Sequence, residues 1–95
     1  MQQVYGIVSA AGDKQDGSGF TVKKNDTGIY QLTWNTSFKS VPGVAATIVR
    51  LSNQWIPNDG INVANVTNEG CAVYTMGSPK NEYQDRDFSI IAIGE

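Results

Sequence analysis

Apolar and polar residues alternate along this chain in short bursts, and no stretch of useful length repeats every 3.6 residues. Bursts of this length, broken by Gly, Asn, Asp and Pro every ten residues or so, are what a β-sandwich or barrel requires. The first apolar run is Val4 to Ala10, and the loop 12–19 ends it. Phe20 and Val22 then alternate with Thr21 and Lys23. Asn25-Asp26-Thr27-Gly28 reads as a turn closed by Gly28 in the left-handed region. Tyr30, Leu32 and Trp34 follow on one face, with Gln31 and Thr33 on the other. The spacing therefore predicts a hairpin, with Trp34 inside the core.

Asn35 to Gly43 is read as a crossing loop that Pro42 stiffens and Phe38 plugs. Val44 to Leu51 makes a fourth strand, and Ser52 to Gly60 a long loop. Ile61 to Val66 makes a fifth strand. Thr67-Asn68-Glu69-Gly70 is a second turn-plus-Gly signal. Cys71 to Met76 is the sixth strand, Gly77 to Asp87 a polar loop, and Phe88 to Ile93 the last strand. Residues 1–95 are expected to form a single domain. The expected fold is all-β, an antiparallel two-sheet sandwich of six to seven strands.

Composition agrees with the pattern. Val and Ile number 17 against 2 Leu, and 7 Thr add further β-branching. Branching at Cβ stiffens χ1 and suits pleated strands. The chain has 95 residues, of which 17% are charged, with a net charge of −2. Its 7 Lys and Arg are scattered, so no basic stripe exists to neutralise phosphates and no nucleic acid is expected as a partner. No apolar run approaches the roughly 20 residues of a membrane helix, so no membrane insertion is expected. Met1-Gln2-Gln3 shows no basic start to a signal peptide.

The absence of His and the single Cys remove triad chemistry and thiolate or imidazole metal sites. Cys71 reads as a small buried hydrophobe. Asp13-x-x-Asp16-Gly17 lacks EF-hand spacing, and no metal or other cofactor is expected. Glu69 lies in a tight turn and Glu82 in an exposed loop, settings that do not suit a carboxylate pair for glycoside hydrolysis. No enzyme is expected.

The last strand carries apolar residues on both faces. Phe88, Ile90 and Ala92 alternate with Ser89, Ile91 and Ile93. One face meets the core and the other needs a neighbour. A sister copy is the expected neighbour, with Phe88, Ile91 and Ile93 as contact residues, the alternative being a central strand partly covered by the chain's own loops.

Several segments resemble H-type lectin domains. These are Tyr30-Gln31-Leu32-Thr33-Trp34 with Phe38 and Pro42-Gly43-Val44, the turn from Asn65 to Gly70, and the ending Phe88-Ser89-Ile90-Ile91-Ala92-Ile93-Gly94. Ser18-Gly19-Phe20-Thr21-Val22 with Thr27-Gly28-x-Tyr30 is similar to small terminal modules of phage tail fibres and bacterial fibre-like proteins. The resemblance implies a β-sandwich that forms a homotrimer and binds a surface glycan or receptor. Its setting would be extracellular or virion-associated, at a fibre tip. The alternative it implies is a module that only trimerises or decorates a fibre or virion. The aromatic–His pair of the family's sugar loop has no counterpart here beyond Tyr83.

Sugar recognition needs an aromatic face for ring C–H groups and planar polar groups for hydroxyls. Two loops supply both. Trp55, Asn58 and Asp59 lie in one, and Asn81, Tyr83, Asp85 and Arg86 in the other. These seven are the candidate ligand-binding residues.

Overall fold

The computed structural model describes residues 1–49, 59–77 and 82–95. Among these residues there are nine strands and no helix. They are β1 (Gln2–Val8), β2 (Lys14–Ser18), β3 (Phe20–Asp26), β4 (Ile29–Trp34), β5 (Gly43–Ile48), β6 (Gly60–Ala64), β7 (Gly70–Gly77), β8 (Glu82–Tyr83) and β9 (Phe88–Gly94). One sheet runs β2-β1-β9-β5 and the other β3-β4-β7-β6, with β8 also paired to β7. Every pairing is antiparallel. The protein is an all-β, two-sheet antiparallel sandwich.

The alternation sets which side chains meet between the sheets. Val4 and Val8 of β1 and Phe88, Ile90 and Ala92 of β9 face inward from one sheet. Phe20 of β3, Tyr30, Leu32 and Trp34 of β4, and Cys71 and Val73 of β7 answer from the other. Phe38 enters from the crossing loop and lies edge-on to Trp34, with ring centroids 5.9 Å apart. The first and last strands pair along their full lengths, from Gln2 opposite Gly94 to Val8 opposite Phe88. The closing strand is thus central in its sheet, held between β1 and β5.

The β3–β4 hairpin forms as its sequence predicts. Gly28 takes φ +68°, and a Cβ there would press on the carbonyl oxygen of Thr75 and the backbone of Gln84. The turn before β7 also forms, with Thr67 Oγ1 accepting from the amides of Glu69 and Gly70. Asn65, two residues before this turn, takes the left-handed region at φ 52°.

The strand count exceeds the expected six to seven, because two strands lie in segments read as loops. Lys14–Ser18 carries no buried face, so it offers no apolar alternation to read. It is an edge strand, held by its ladder to β1 and by the tight turn in which the Ser9 amide donates to the Asp13 carbonyl. Glu82–Tyr83 is two residues long and exposed. The first strand runs from Gln2 to Val8 rather than Val4 to Ala10, and the strand before the Thr67 turn stops at Ala64. The far end of the fourth strand, at Leu51, lies outside the described residues.

Phe88 is corrected as a contact residue. Its ring is fully buried and meets Tyr30 edge-on, 5.0 Å between centroids. Period two places it on the face opposite Ile91 and Ile93, which do point outward.

Candidate functional site

Trp55, Asn58 and Asn81 lie outside the described residues. The other four predicted ligand residues divide sharply. Asp59, Asp85 and Arg86 are tied to the protein itself, whereas Tyr83 faces solvent.

The tying begins just before the start of β4. Thr75 of β7 donates its amide to the Gly28 carbonyl at 2.8 Å and accepts from the Gln84 amide at 3.2 Å. The short β8 and the residues after it therefore take over the position beside β7 that β4 vacates. Thr75, the one buried polar residue among the described residues, gives its hydroxyl to the Gln84 carbonyl at 2.6 Å. The next three residues each bind a different part of the fold. The Asp85 carboxylate accepts from the Gly28 amide at 2.7 Å and from Lys24 Nζ at 2.6 Å. Arg86 donates through Nε to Asp59 Oδ1 at 3.0 Å and through Nη1 to the Asp85 carbonyl at 2.8 Å. Asp87 accepts the Ala10 amide at 2.7 Å, and its carbonyl accepts the Val49 amide at 3.1 Å. The Ala10 carbonyl in turn receives the Tyr30 hydroxyl at 2.8 Å.

The segment 84–87 thus joins the β3–β4 turn, the approach to β6, the turn after β1 and the end of β5. Both sheets are fastened at this end. No buried side-chain polar atom among the described residues lacks a hydrogen-bond partner. A Cβ at Gly77 would run into Asp59 Oδ1 and the Arg86 guanidinium, so a side chain there would push the pair aside. The Arg86 and Asp59 side chains are 12% and 6% exposed, so this pair is nearly buried.

Charge follows the same contacts. Partial burial pushes the Asp85 carboxyl up, but the Lys24 hydrogen bond, the Gly28 amide and the positive charges of Lys24 and Arg86 outweigh it. They hold Asp85 below the ordinary carboxylate value. Lys24 is raised, foremost by its hydrogen bond to Asp85. Tyr30 is raised, foremost by burial. Cys71 is buried among apolar neighbours, and its thiol is pushed up to about 11. A thiol so placed is a packing residue and a poor nucleophile.

The outer face of the five-stranded sheet presents something different. Tyr83 is 49% exposed. Its ring stacks on that of Tyr74, with centroids 5.8 Å apart and planes at 27°. The register puts Met76 opposite Tyr83, and Asn62 and Ile29 on either side of Tyr74. Here two phenol rings stand among apolar neighbours with one amide beside them. Such a surface can receive the C–H face of a flat ring while the amide and phenol groups meet hydroxyls. Tyr74 was not among the expected residues. Its signal lies in the phase of β7, where Cys71, Val73 and Thr75 point inward and Ala72, Tyr74 and Met76 point outward.

No family model matches the chain, and no match was found among curated proteins or solved structures. Fold and site together define a small antiparallel sandwich that carries a solvent-facing tyrosine pair and a heavily bonded polar segment at one end.

Proposed function

We propose that this chain is a carbohydrate- or receptor-binding module that acts as a homotrimer. In this reading it is displayed outside the cell or on a virion, at the tip of a phage tail fibre or a related assembly. The setting and the trimer rest on the resemblance to lectin-like and fibre-tip modules. The stacked Tyr83–Tyr74 pair on an exposed sheet face is the observation that carries the ligand half. Its ligand contacts are shallow, and three such sites on one assembly gain strength through effective concentration.

The expected ligand-binding set shrinks accordingly. Asp59, Asp85 and Arg86 serve the protein's own cohesion, and Tyr83 with Tyr74 takes their place. A second reading is favoured by that same diversion of polar side chains: a module that trimerises or decorates a fibre and has no ligand of its own.

A glycan array probed with the multimerised protein separates the two. Binding that falls about tenfold or more in both Tyr83→Ala and Tyr74→Ala, with an unchanged unfolding midpoint, supports the ligand reading. A folded protein that binds nothing on the array, and adsorbs to candidate host cells no better than the two variants, leaves the structural reading.

A further inference from the structure

On the outer face of the four-stranded sheet, β1, β9 and β5 form a grid of three strands by three positions, and β2 flanks it with Ser18 beside Tyr5 and Asp16 beside Ile7. Its rows are Gln3–Ile93–Gly43, Tyr5–Ile91–Ala45 and Ile7–Ser89–Thr47, each running from β1 through β9 to β5. The chain carries 7 basic and 9 acidic residues, and none falls on this grid. Tyr5, Ile91 and Ile93 are 57%, 43% and 39% exposed. Interface centres are depleted of charge in this way, and free surfaces seldom are.

The grid also has a slope. The β1 side carries the large Tyr5, whereas the β5 side carries only Gly43, Ala45 and Thr47. Where Ala45 and Thr47 meet Ser89 and Ile91 the surface sinks into an open hollow of about 170 Å³. A projecting ring on one flank and a hollow on the other, with no charge between, make the face complementary to itself. A charged partner would leave its own charges desolvated here without a counter-charge. A second copy brings none.

We infer that copies of this chain associate through this face, the Tyr5 flank of one seating in the Ala45–Thr47–Ser89 hollow of the next. This rests on the multi-copy half of the proposed function and is independent of any ligand. Contact by unlike flanks closes into a ring when each copy turns by the same angle, and three copies then bring Ile91 and Ile93 together near the axis. Three strands spaced ~4.8 Å apart and five residues rising ~3.4 Å each give a footprint of about 14 by 17 Å. Stable interfaces bury roughly 800 Å² per partner, so the association is weak and concentration-dependent.

Sedimentation equilibrium from about 10 to about 500 µM tests this directly. The wild-type mass is expected to rise toward two or three chains. Ile91→Lys and Ala45→Lys, each placing a charge on the grid, are expected to weaken association at least tenfold. Gln31→Lys, on the outer face of the other sheet, is expected to leave it unchanged. All three positions are outward-facing, and circular dichroism confirms that each variant is folded. A wild-type protein that stays single across the range overturns the inference, as does an oligomer that survives both grid variants. Glycan binding by a single chain would sink this inference and leave the ligand reading standing. An oligomer that binds no glycan does the reverse.

Discussion

Arg86→Met puts the bonded segment to a quantitative test. The guanidinium and the Asp59 carboxylate are 12% and 6% exposed, 3.0 Å apart, and packed on Gly77. Breaking a buried ion pair from one side costs about 3–5 kcal/mol, because the remaining charge loses its compensation. Arg86→Met also removes the bond from Nη1 to the Asp85 carbonyl. Together these give an expected destabilisation of about 3 kcal/mol. That is a large part of the roughly 5–14 kcal/mol expected for a domain of this length.

At about 4–8 °C per kcal/mol, the melting temperature falls by roughly 12–24 °C. Urea unfolding followed by circular dichroism measures the free energy, and Asp59→Asn with the double variant completes a cycle. A coupling of about 1 kcal/mol or more is expected between the two side chains. Gly77→Ala attacks the same spot through the backbone and is expected to destabilise as well. An Arg86→Met change below about 0.5 kcal/mol would mark an ordinary surface pair. It would refute the structural role and return Arg86 to the candidate ligand set.

Two pH predictions follow from the other shifted groups. Asp85 is held below its ordinary value of 3.8, so the folded state binds its proton less readily than the unfolded chain does. Its contribution is present above about pH 4 and is lost as pH falls through the folded value. Urea midpoints between about pH 2 and 6 should therefore depend less on pH in Asp85→Asn, and identical slopes would contradict the assigned contacts. Cys71 moves the opposite way, from 9.0 to about 11: the folded state holds the neutral thiol, while the unfolded chain ionises first as pH rises through that window. Stability should fall by roughly 2–3 kcal/mol across it, and the fall should be smaller in Cys71→Ala. The same burial predicts that a thiol reagent modifies the native protein only at the rate of unfolding, and rapid native labelling would count against it.

Much of this architecture was legible before any coordinates, because period two in side-chain direction is a local property. Phe20, Tyr30, Leu32, Trp34 and Cys71 are buried, and Phe38 plugs the core, as their spacing and size require. The Asn25–Gly28 turn was readable for a similar reason, since few residues other than Gly accept its backbone angle. Strand β2 was not readable. Its residues are polar on both faces, and only the ladder to β1 makes them a strand. Tyr74 was overlooked as a surface residue until β8 set Tyr83 beside it.

The polar side chains show where sequence reasoning stops. Asp59, Asp85 and Arg86 have the composition of a binding loop, and nothing local distinguishes a carboxylate waiting for a ligand from one already bonded. Apart from the Arg86 bond to the adjacent Asp85 carbonyl, their contacts reach Lys24, Gly28 and Asp59 across 27 to 61 positions of the chain. Phe88 makes the same point for apolar residues. An apolar run announces two buried faces, but only the packing shows that Phe88 faces its own core and that Ile91 and Ile93 remain outside. The chain by itself determined the strands that alternate, the core they build and the two-sheet class. Hydrogen bonding and packing between distant segments decided which polar groups are spent on cohesion and which faces stay open, because those contacts exist only once the sheets have met.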